Sequence, residues 1–155
     1  MSERTRIRGI AQREAPRPRR VEGAAVLALS PGPGPRPAGS RWEETQATVA
    51  VRGELDRDAL WAIDYTIGRA ALEAGRIVLD LREVTHLDYA GVRELVARRG
   101  ELRARGGDLA IAVRNPYVTN ILKASGGADL LLCRAPEEAF AEVALARSSA
   151  RRRQQ

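Results

Sequence analysis

The chain has 155 residues, which fits one domain, and its shares of hydrophobic residues (44%) and charged residues (30%) are ordinary for a globular protein. The net charge of +6 is distributed unevenly along the chain. Residues 1–41 carry nine Arg and three Glu, and residues 147–155 carry four Arg and no acid, whereas residues 42–146 carry 13 basic and 17 acidic residues. This weakly acidic central part is a poor ligand for a phosphate backbone, so we expect no specific binding of nucleic acid.

The cysteine content and the lengths of the apolar runs exclude further classes of protein. Cys133 is the only cysteine, so an internal disulfide is excluded, and its apolar neighbours favour a core position over a nucleophile. No apolar run approaches the roughly 18 residues that a membrane helix needs. Residues 17–29 loosely resemble a signal peptide, but Pro and Gly follow at once. We therefore expect no transmembrane segment and a cytoplasmic location.

Both ends of the chain differ in composition from its centre. Residues 1–41 combine Arg, Pro and Gly with few large apolar side chains, which predicts a disordered tail. A start of translation further downstream is an alternative. The Arg-rich residues 147–155 predict a second, solvated tail, for which weak attraction to nucleic acid or anionic lipid is the other interpretation.

Regular patterns begin near residue 46. Residues 47–51 alternate between apolar and polar and continue into Gly-Glu-Leu-Asp at residues 53–56, which predicts a first strand or a hairpin. A helix follows that Asp56 caps and Gly75 ends. Its predicted inward residues are Leu60, Ile63, Ile67 and Ala71. The apolar run at residues 77–81 predicts a strand that is buried on both faces.

The second half of the chain repeats this order. Asp88 is predicted to cap a second helix that stops at residues 106–107, and residues 109–113 predict the next strand. The inward residues of that helix are predicted to be Val92, Leu95, Val96 and Leu102. Asn115 and Pro116 begin a third helix, residues 128–133 predict a last strand, and Pro136 begins a last helix with acidic residues in its first turn.

This order of elements defines the predicted fold class. Strands and helices alternate with short connections, so the crossovers are expected to be right-handed and the sheet mostly parallel. The prediction is a single α/β domain over residues 42–146, with four to five strands and about four helices.

No pattern indicates catalysis. The sequence has no glycine-rich phosphate loop, no Gly-x-Ser-x-Gly turn and too few His and Cys residues for a transition metal, so we expect no enzyme, no cofactor and no metal site. Four acidic residues lie near predicted strand ends, and for each a structural role is favoured: Glu54, Asp56, Asp80 and Asp88. A response-regulator receiver is rejected, because the acidic pair after the first strand is missing and Lys123, the only lysine, lies inside a helix.

Several segments together resemble the STAS domain of bacterial anti-sigma factor antagonists. They are Gly-Glu-Leu-Asp at 53–56, Ile-Val-Leu-Asp-Leu at 77–81, Val-Thr-His-Leu-Asp-Tyr-Ala-Gly at 84–91, Gly-Gly at 106–107, Leu-Lys-Ala-Ser-Gly at 122–126 and Pro-Glu-Glu-Ala-Phe at 136–140. The resemblance spans about residues 47–146. It implies a domain that binds a protein partner, typically a serine-kinase anti-sigma factor with a histidine-kinase-like ATPase fold.

The resemblance also implies where the partner binds. The family contact surface centres on the Gly-Glu-Leu-Asp turn, on the loop ahead of the second helix and on that helix. In this sequence the corresponding residues are Glu54, Asp56, Asp88, Tyr89, Ala90, Gly91, Arg93 and Glu94.

One position departs from the family pattern. Family members carry two hydroxyl residues between the Asp and the Gly, and the second of them is phosphorylated, but this chain has Ala90 there. We therefore predict no phosphorylation at the usual position, with Thr85 as a weak substitute.

Three functions remain open at this stage. The first is a constitutively binding antagonist or scaffold in a partner-switching pathway. The second is an accessory subunit that resembles the STAS protein of a lipid-transport ABC complex and would bind an ABC ATPase. The third is a domain that senses a small ligand or a nucleotide, although the missing phosphate loop disfavours it.

Overall fold

The structure is a computed structural model and describes residues 24–31, 41–141 and 152–153, with the backbone alone described for residues 24–31. One sheet of five strands runs through these residues, and the strands lie side by side in chain order. They are β1 (Ala24–Pro31), β2 (Gln46–Leu55), β3 (Arg76–Leu87), β4 (Asp108–Ala112) and β5 (Leu131–Cys133). The pair β1–β2 is antiparallel, and β2 to β5 are parallel. The predicted α/β class with a mostly parallel sheet is confirmed.

Helices connect the parallel strands. They are α1 (Arg57–Ala70), α2 (Val92–Ala104) and α3 (Pro116–Gly126). Short 3-10 turns lie at Trp42–Glu44, Tyr89–Gly91, Gly127–Asp129 and Pro136–Glu138. The last predicted helix opens with the turn at Pro136–Glu138, and residues 142–146 of it lie outside the described residues.

The helices α1 and α3 begin where the sequence predicts, whereas α2 begins at Val92, after the turn Tyr89–Gly91. The Asp56 carboxylate accepts a hydrogen bond from the Ala59 amide at 2.8 Å, and the Asn115 side chain accepts one from the Tyr117 amide at 2.9 Å. Each of these bonds satisfies an amide that a helix leaves without a partner in its first turn. The helix α2 ends before Gly106, whose φ of 89° suits glycine. The helix α1 ends at Ala70, earlier than the predicted stop at Gly75.

The central strand β3 is buried on both faces of the sheet. Alternate residues of β3, Ile77, Leu79 and Leu81, belong to the main core together with the apolar sides of α1, α2 and α3. Val78 points the other way and packs in a smaller cluster with Phe140. The continuous apolar run of β3 therefore reflects burial on two faces, as expected for a central parallel strand.

Two strands differ in length from the prediction. β3 continues from residue 81 to Leu87, because its second half pairs in parallel with the end of β2, where Leu55 lies opposite Leu87. Only Val84 and Leu87 are buried in the final four residues, so the apolar run ended too early to reveal this extension. β5 is shorter than predicted, because Gly127–Asp129 form a 3-10 turn before it.

The N-terminal segment also differs from the prediction. Disorder was expected for residues 1–41, whereas Ala24–Pro31 form the edge strand β1 against β2. The physical reason is the free edge of β2, whose amides and carbonyls pair with a neighbouring strand almost irrespective of sequence. Residues 1–23 and 32–40 of the predicted tail lie outside the described residues. Arg41 is described, and its carbonyl accepts a hydrogen bond from the Glu44 amide.

Two truncations test the role of β1. Removal of residues 1–31 should lower the free energy of unfolding by more than about 1 kcal/mol, the net contribution of a single ladder hydrogen bond, whereas removal of residues 1–23 leaves β1 in place and should have a smaller effect. Denaturant unfolding of both variants and of the full chain measures the difference. Equal stability of the two truncated chains would contradict the pairing of β1 with β2.

Candidate protein-binding site

The ends of β2 and β3 bring two predicted contact segments together. Glu54 lies opposite His86 in the parallel register, and Leu55 lies opposite Leu87. One residue further, the Asp88 amide donates a hydrogen bond to the Leu55 carbonyl at 2.8 Å. The Gly-Glu-Leu-Asp segment and the loop after β3 are therefore neighbours at the carboxyl edge of the sheet, where α/β proteins commonly bind their ligands.

A short turn links β3 to α2. The Asp88 carboxylate accepts a hydrogen bond from the Ala90 amide at 2.9 Å, and the Gly91 amide donates to the Asp88 carbonyl at 3.1 Å. These bonds define the 3-10 turn Tyr89–Gly91, from which α2 continues directly. Asp88 was predicted to cap α2 itself, whereas it caps this turn, and the residue before α2 is Gly91, which makes no side-chain capping bond.

Gly91 holds this turn against helix α1. A Cβ atom at position 91 would overlap the side chain of Leu60, which is itself fully buried. Gly91 is buried too, so it belongs to the packing and offers no side chain to a partner. Gly91 therefore has a structural role within the predicted contact segment.

The other predicted contact residues lie in these two neighbouring segments and in the first turn of α2. Tyr89 is 73% exposed, Asp88 is partly exposed, and the remaining members are exposed. We call this set the docking surface: Glu54, Asp56, Asp88, Tyr89, Ala90, Arg93 and Glu94. It carries four carboxylates and one guanidinium, so its net charge is negative.

Two residues that the sequence analysis did not select lie at the same edge. The rings of His86 and Tyr117 are stacked with their centroids 5.7 Å apart, and the Tyr117 hydroxyl lies 3.1 Å from Nδ1 of His86. Tyr117 is 53% exposed. The order of the strands could have indicated this pair. His86 lies near the end of β3 and Tyr117 shortly after β4, and the carboxyl ends of parallel strands meet at one edge of the sheet.

Thr85 lies apart from the turn. It is an exposed residue of β3, and its hydroxyl donates to the Gly53 carbonyl at the long distance of 3.5 Å. A phosphate on Thr85 would sit on a strand rather than at the first turn of α2. Its modification stays a prediction.

Asp80 is an ion-paired residue of the sheet. Its carboxylate accepts hydrogen bonds from Nε and Nη2 of Arg82 at 2.9 and 2.8 Å. Burial alone would raise the pKa of Asp80, but the hydrogen bonds and charge of Arg82 outweigh it and the net shift is downward. The geometry agrees with the structural role that the sequence favoured.

Cys133 has the environment of a packing residue. It is half-buried in β5, and its Sγ donates to the Ile111 carbonyl at 3.6 Å. Burial and the neighbouring carboxylates, Glu138 first, raise the pKa of the thiol above its usual value. The reactive thiolate is therefore disfavoured.

The described residues contain no group of three or more His, Cys, Asp and Glu side chains that could hold a metal ion. Within the same part of the chain, no helix is both long and apolar enough to cross a bilayer.

The fold and the docking surface define an α/β domain whose exposed polar and aromatic groups lie on a turn at the sheet edge. The chain belongs to the STAS domain family, because residues 38–132 match the family model described as Mlab, STAS domain. The family resemblance found in the sequence is thereby confirmed. No curated protein matched the chain.

Solved structures of anti-sigma factor antagonists have the same fold. SpoIIAA in its unphosphorylated form matches with a TM-score of 0.55 and 24% identity, over 75% of this chain and 96% of that one. An antagonist from Mycobacterium paratuberculosis matches with a TM-score of 0.59 and 21% identity, over 77% and 93%. The Bacillus SpoIIAA in its phosphorylated form matches with a TM-score of 0.50 and 22% identity, over 75% and 99%.

Matched glycine substitutions test how the turn is held. Gly91→Ala should destabilise the protein by about 1–3 kcal/mol, because the added methyl group overlaps Leu60 and the turn must shift. Gly100→Ala is the control, since a Cβ in that exposed part of α2 meets nothing within 4 Å and should stabilise the helix by up to about 1 kcal/mol. Denaturant unfolding gives both values, and equal effects would contradict the packing described for Gly91.

Proposed function

We propose that this protein is a non-catalytic, cytoplasmic protein-binding module, an anti-sigma factor antagonist or partner-switching scaffold that docks on a histidine-kinase-like ATPase. The observation that carries the proposal is the pairing of the ends of β2 and β3, which brings the two segments with predicted contact residues together at one edge of the sheet. The structural matches to antagonists support a partner-binding role of this kind at the level of the family.

Tyr89 is suited to anchor the contact. Its side chain is 73% exposed on a turn that Leu55, Leu60 and Asp88 hold in place. Aromatic residues with few rotatable bonds are enriched among the residues that dominate binding energy. A partner that covers Tyr89 gains apolar burial without ordering a flexible loop, which lowers the entropic cost of binding.

The charge of the docking surface indicates the chemistry of the partner. Glu54, Asp56, Asp88 and Glu94 outnumber Arg93, so a complementary patch on the ATPase would be basic. Such a pairing raises the association rate at low salt and contributes less to the dissociation rate.

Because residue 90 is alanine, phosphorylation at this position cannot release the partner. A phosphate at this position would add a charge of about −1.5 to −2 close to the Asp88 carboxylate, in the middle of an acidic surface. Ala90 offers only a methyl group and an amide that Asp88 already binds. We infer a surface that stays competent to bind, with occupancy set by the amounts of the two proteins.

The same observation favours one second candidate. An accessory STAS subunit of an ABC-type lipid transporter would stay bound to its ATPase and would not need a phosphorylated residue at position 90. The two candidates share the docking surface and differ in the ATPase that binds it. A small-ligand or nucleotide-sensing domain is the third, least favoured candidate.

An affinity purification from the native cell separates these functions. The wild-type chain should retrieve a histidine-kinase-like ATPase, and Ala90→Glu should lose it, because a glutamate places a further charge in the acidic surface. Ala104→Glu is the matched control, with the same substitution at the opposite end of α2, about 20 Å away. Mass spectrometry identifies the retained proteins.

Each result has a clear meaning. Retrieval of an ABC ATPase by wild type and Ala104→Glu would replace the first candidate by the second. Equal retrieval by wild type and Ala90→Glu would contradict the proposed surface. If no protein binds and a nucleotide does, the third candidate gains and protein docking is wrong.

A further inference from the structure

Helix α1 has an exposed apolar side that the docking surface does not use. In the described part of the chain, five large hydrophobic side chains are exposed, and Tyr89 and Tyr117 lie at the sheet edge. The other three belong to α1 or follow it directly: Trp61 at 70% exposed, Tyr65 at 61% and Leu72. Trp61 and Tyr65 are one helical turn apart, so their rings lie on the same side of α1.

The surface beside these rings is fixed by an ion pair. Trp61 and Tyr65 border a shallow hollow between α1 and α2, whose wall on the α2 side is Arg98. Nε of Arg98 donates to Asp64 at 2.9 Å, and its Nη1 donates to Glu101 at 3.1 Å. Gly68 also borders the hollow, and a Cβ at this position would be in ordinary van der Waals contact with Nη2 of Arg98, at 3.4 Å. Asp64 and Arg98 are thus already paired with one another within the domain.

Two charges on the exposed side remain available. Asp58 and Arg69 are both exposed, and neither makes an ion pair within the described residues. They are eleven residues apart, which is about three helical turns, so they lie on one line along the helix at a separation of about 16 Å. The apolar rings lie between an acid at one end and a base at the other.

This arrangement is complementary to itself. Two copies of α1 packed antiparallel bring each Asp58 beside the Arg69 of the other copy when the two-fold axis crosses the helices near residue 63. The same axis brings each Trp61 against the other Tyr65, because the midpoint of that pair also falls at residue 63. A two-fold interface requires this kind of match, in which the same patch serves both partners.

We propose that the outer side of α1 is a contact between two copies of this chain, with antiparallel helices, paired Trp61 and Tyr65 rings and two flanking Asp58–Arg69 ion pairs. The four rings would bury on the order of 500 Å² of side-chain area. This is below the roughly 1,600 Å² of a standard stable interface, so the dimer is weak and concentration-dependent.

Charge reversal on the full chain tests the pairing. Sedimentation velocity from micromolar to millimolar concentration should show the wild type in a monomer–dimer equilibrium. Arg69→Asp places two acids at each contact and Asp58→Arg places two bases there, so each variant alone should associate about fivefold to thirtyfold more weakly. A mixture of the two variants restores both opposite-charge pairs and should associate as strongly as the wild type.

A control and a second variant complete the test. Arg103→Asp changes the same charge on the exposed last turn of α2 and should leave the association unchanged, whereas Trp61→Ser should weaken it. Thermal unfolding establishes that every variant is folded. A wild type that stays monomeric at millimolar concentration, single variants that associate like wild type, or a mixture that stays as weak as its components would each overturn the proposal.

Discussion

The close packing of Gly91 on Leu60 sets the position of the turn that carries Tyr89 and Ala90 at the sheet edge. It fixes the turn Tyr89–Gly91 against α1, while the hydrogen bond from the Asp88 amide to the Leu55 carbonyl fixes the start of the same turn against β2. The exposed residues 89 and 90 therefore rest on two buried supports. A preorganised turn binds with a smaller loss of conformational entropy than a free loop.

The residues that hold the shape of the turn are distinct from residue 90, the position at which a phosphate would act. Gly91, Asp88 and Leu60 shape the turn, and none of them depends on the identity of residue 90, whose methyl group is exposed. A chain that has Ala90 can keep the shape of the surface while it lacks the oxygen atom that a phosphate needs. The proposed outcome is a surface whose occupancy follows concentration and affinity.

The sequence predicted most of the architecture because its signals were local. Asp56, Asn115 and Gly106 have the capping or stop roles that their residue types indicate, and the apolar runs of β3 and β4 locate the sheet. The edge strand β1 was missed because its short apolar run, residues 24–29, stands among Arg, Pro and Gly, and its pairing with β2 joins residues that are distant in the sequence. The second half of β3 was missed for a related reason, because its exposed charged residues interrupt the apolar run.

The candidate site likewise has parts that the sequence predicts and parts that only the folded chain brings together. The two contact segments were inferred from sequence, but their distance from one another follows from the parallel register of β2 and β3. The stacked rings of His86 and Tyr117 join the end of β3 to the first turn of α3 and have no signal in either segment alone. The self-complementary charges of α1 likewise become visible only when the exposed side of the helix is known.

Hydroxyl-radical footprinting of the chain with its captured ATPase tests the central claim most directly. The exposed aromatic residues report on each surface separately, with Tyr89 on the turn and Trp61 and Tyr65 on α1. If the turn is the docking site, oxidation of Tyr89 falls in the complex while that of Trp61 and Tyr65 stays at its level in the free protein at the same concentration. Unchanged oxidation of Tyr89, with protection confined to α1, would contradict the account.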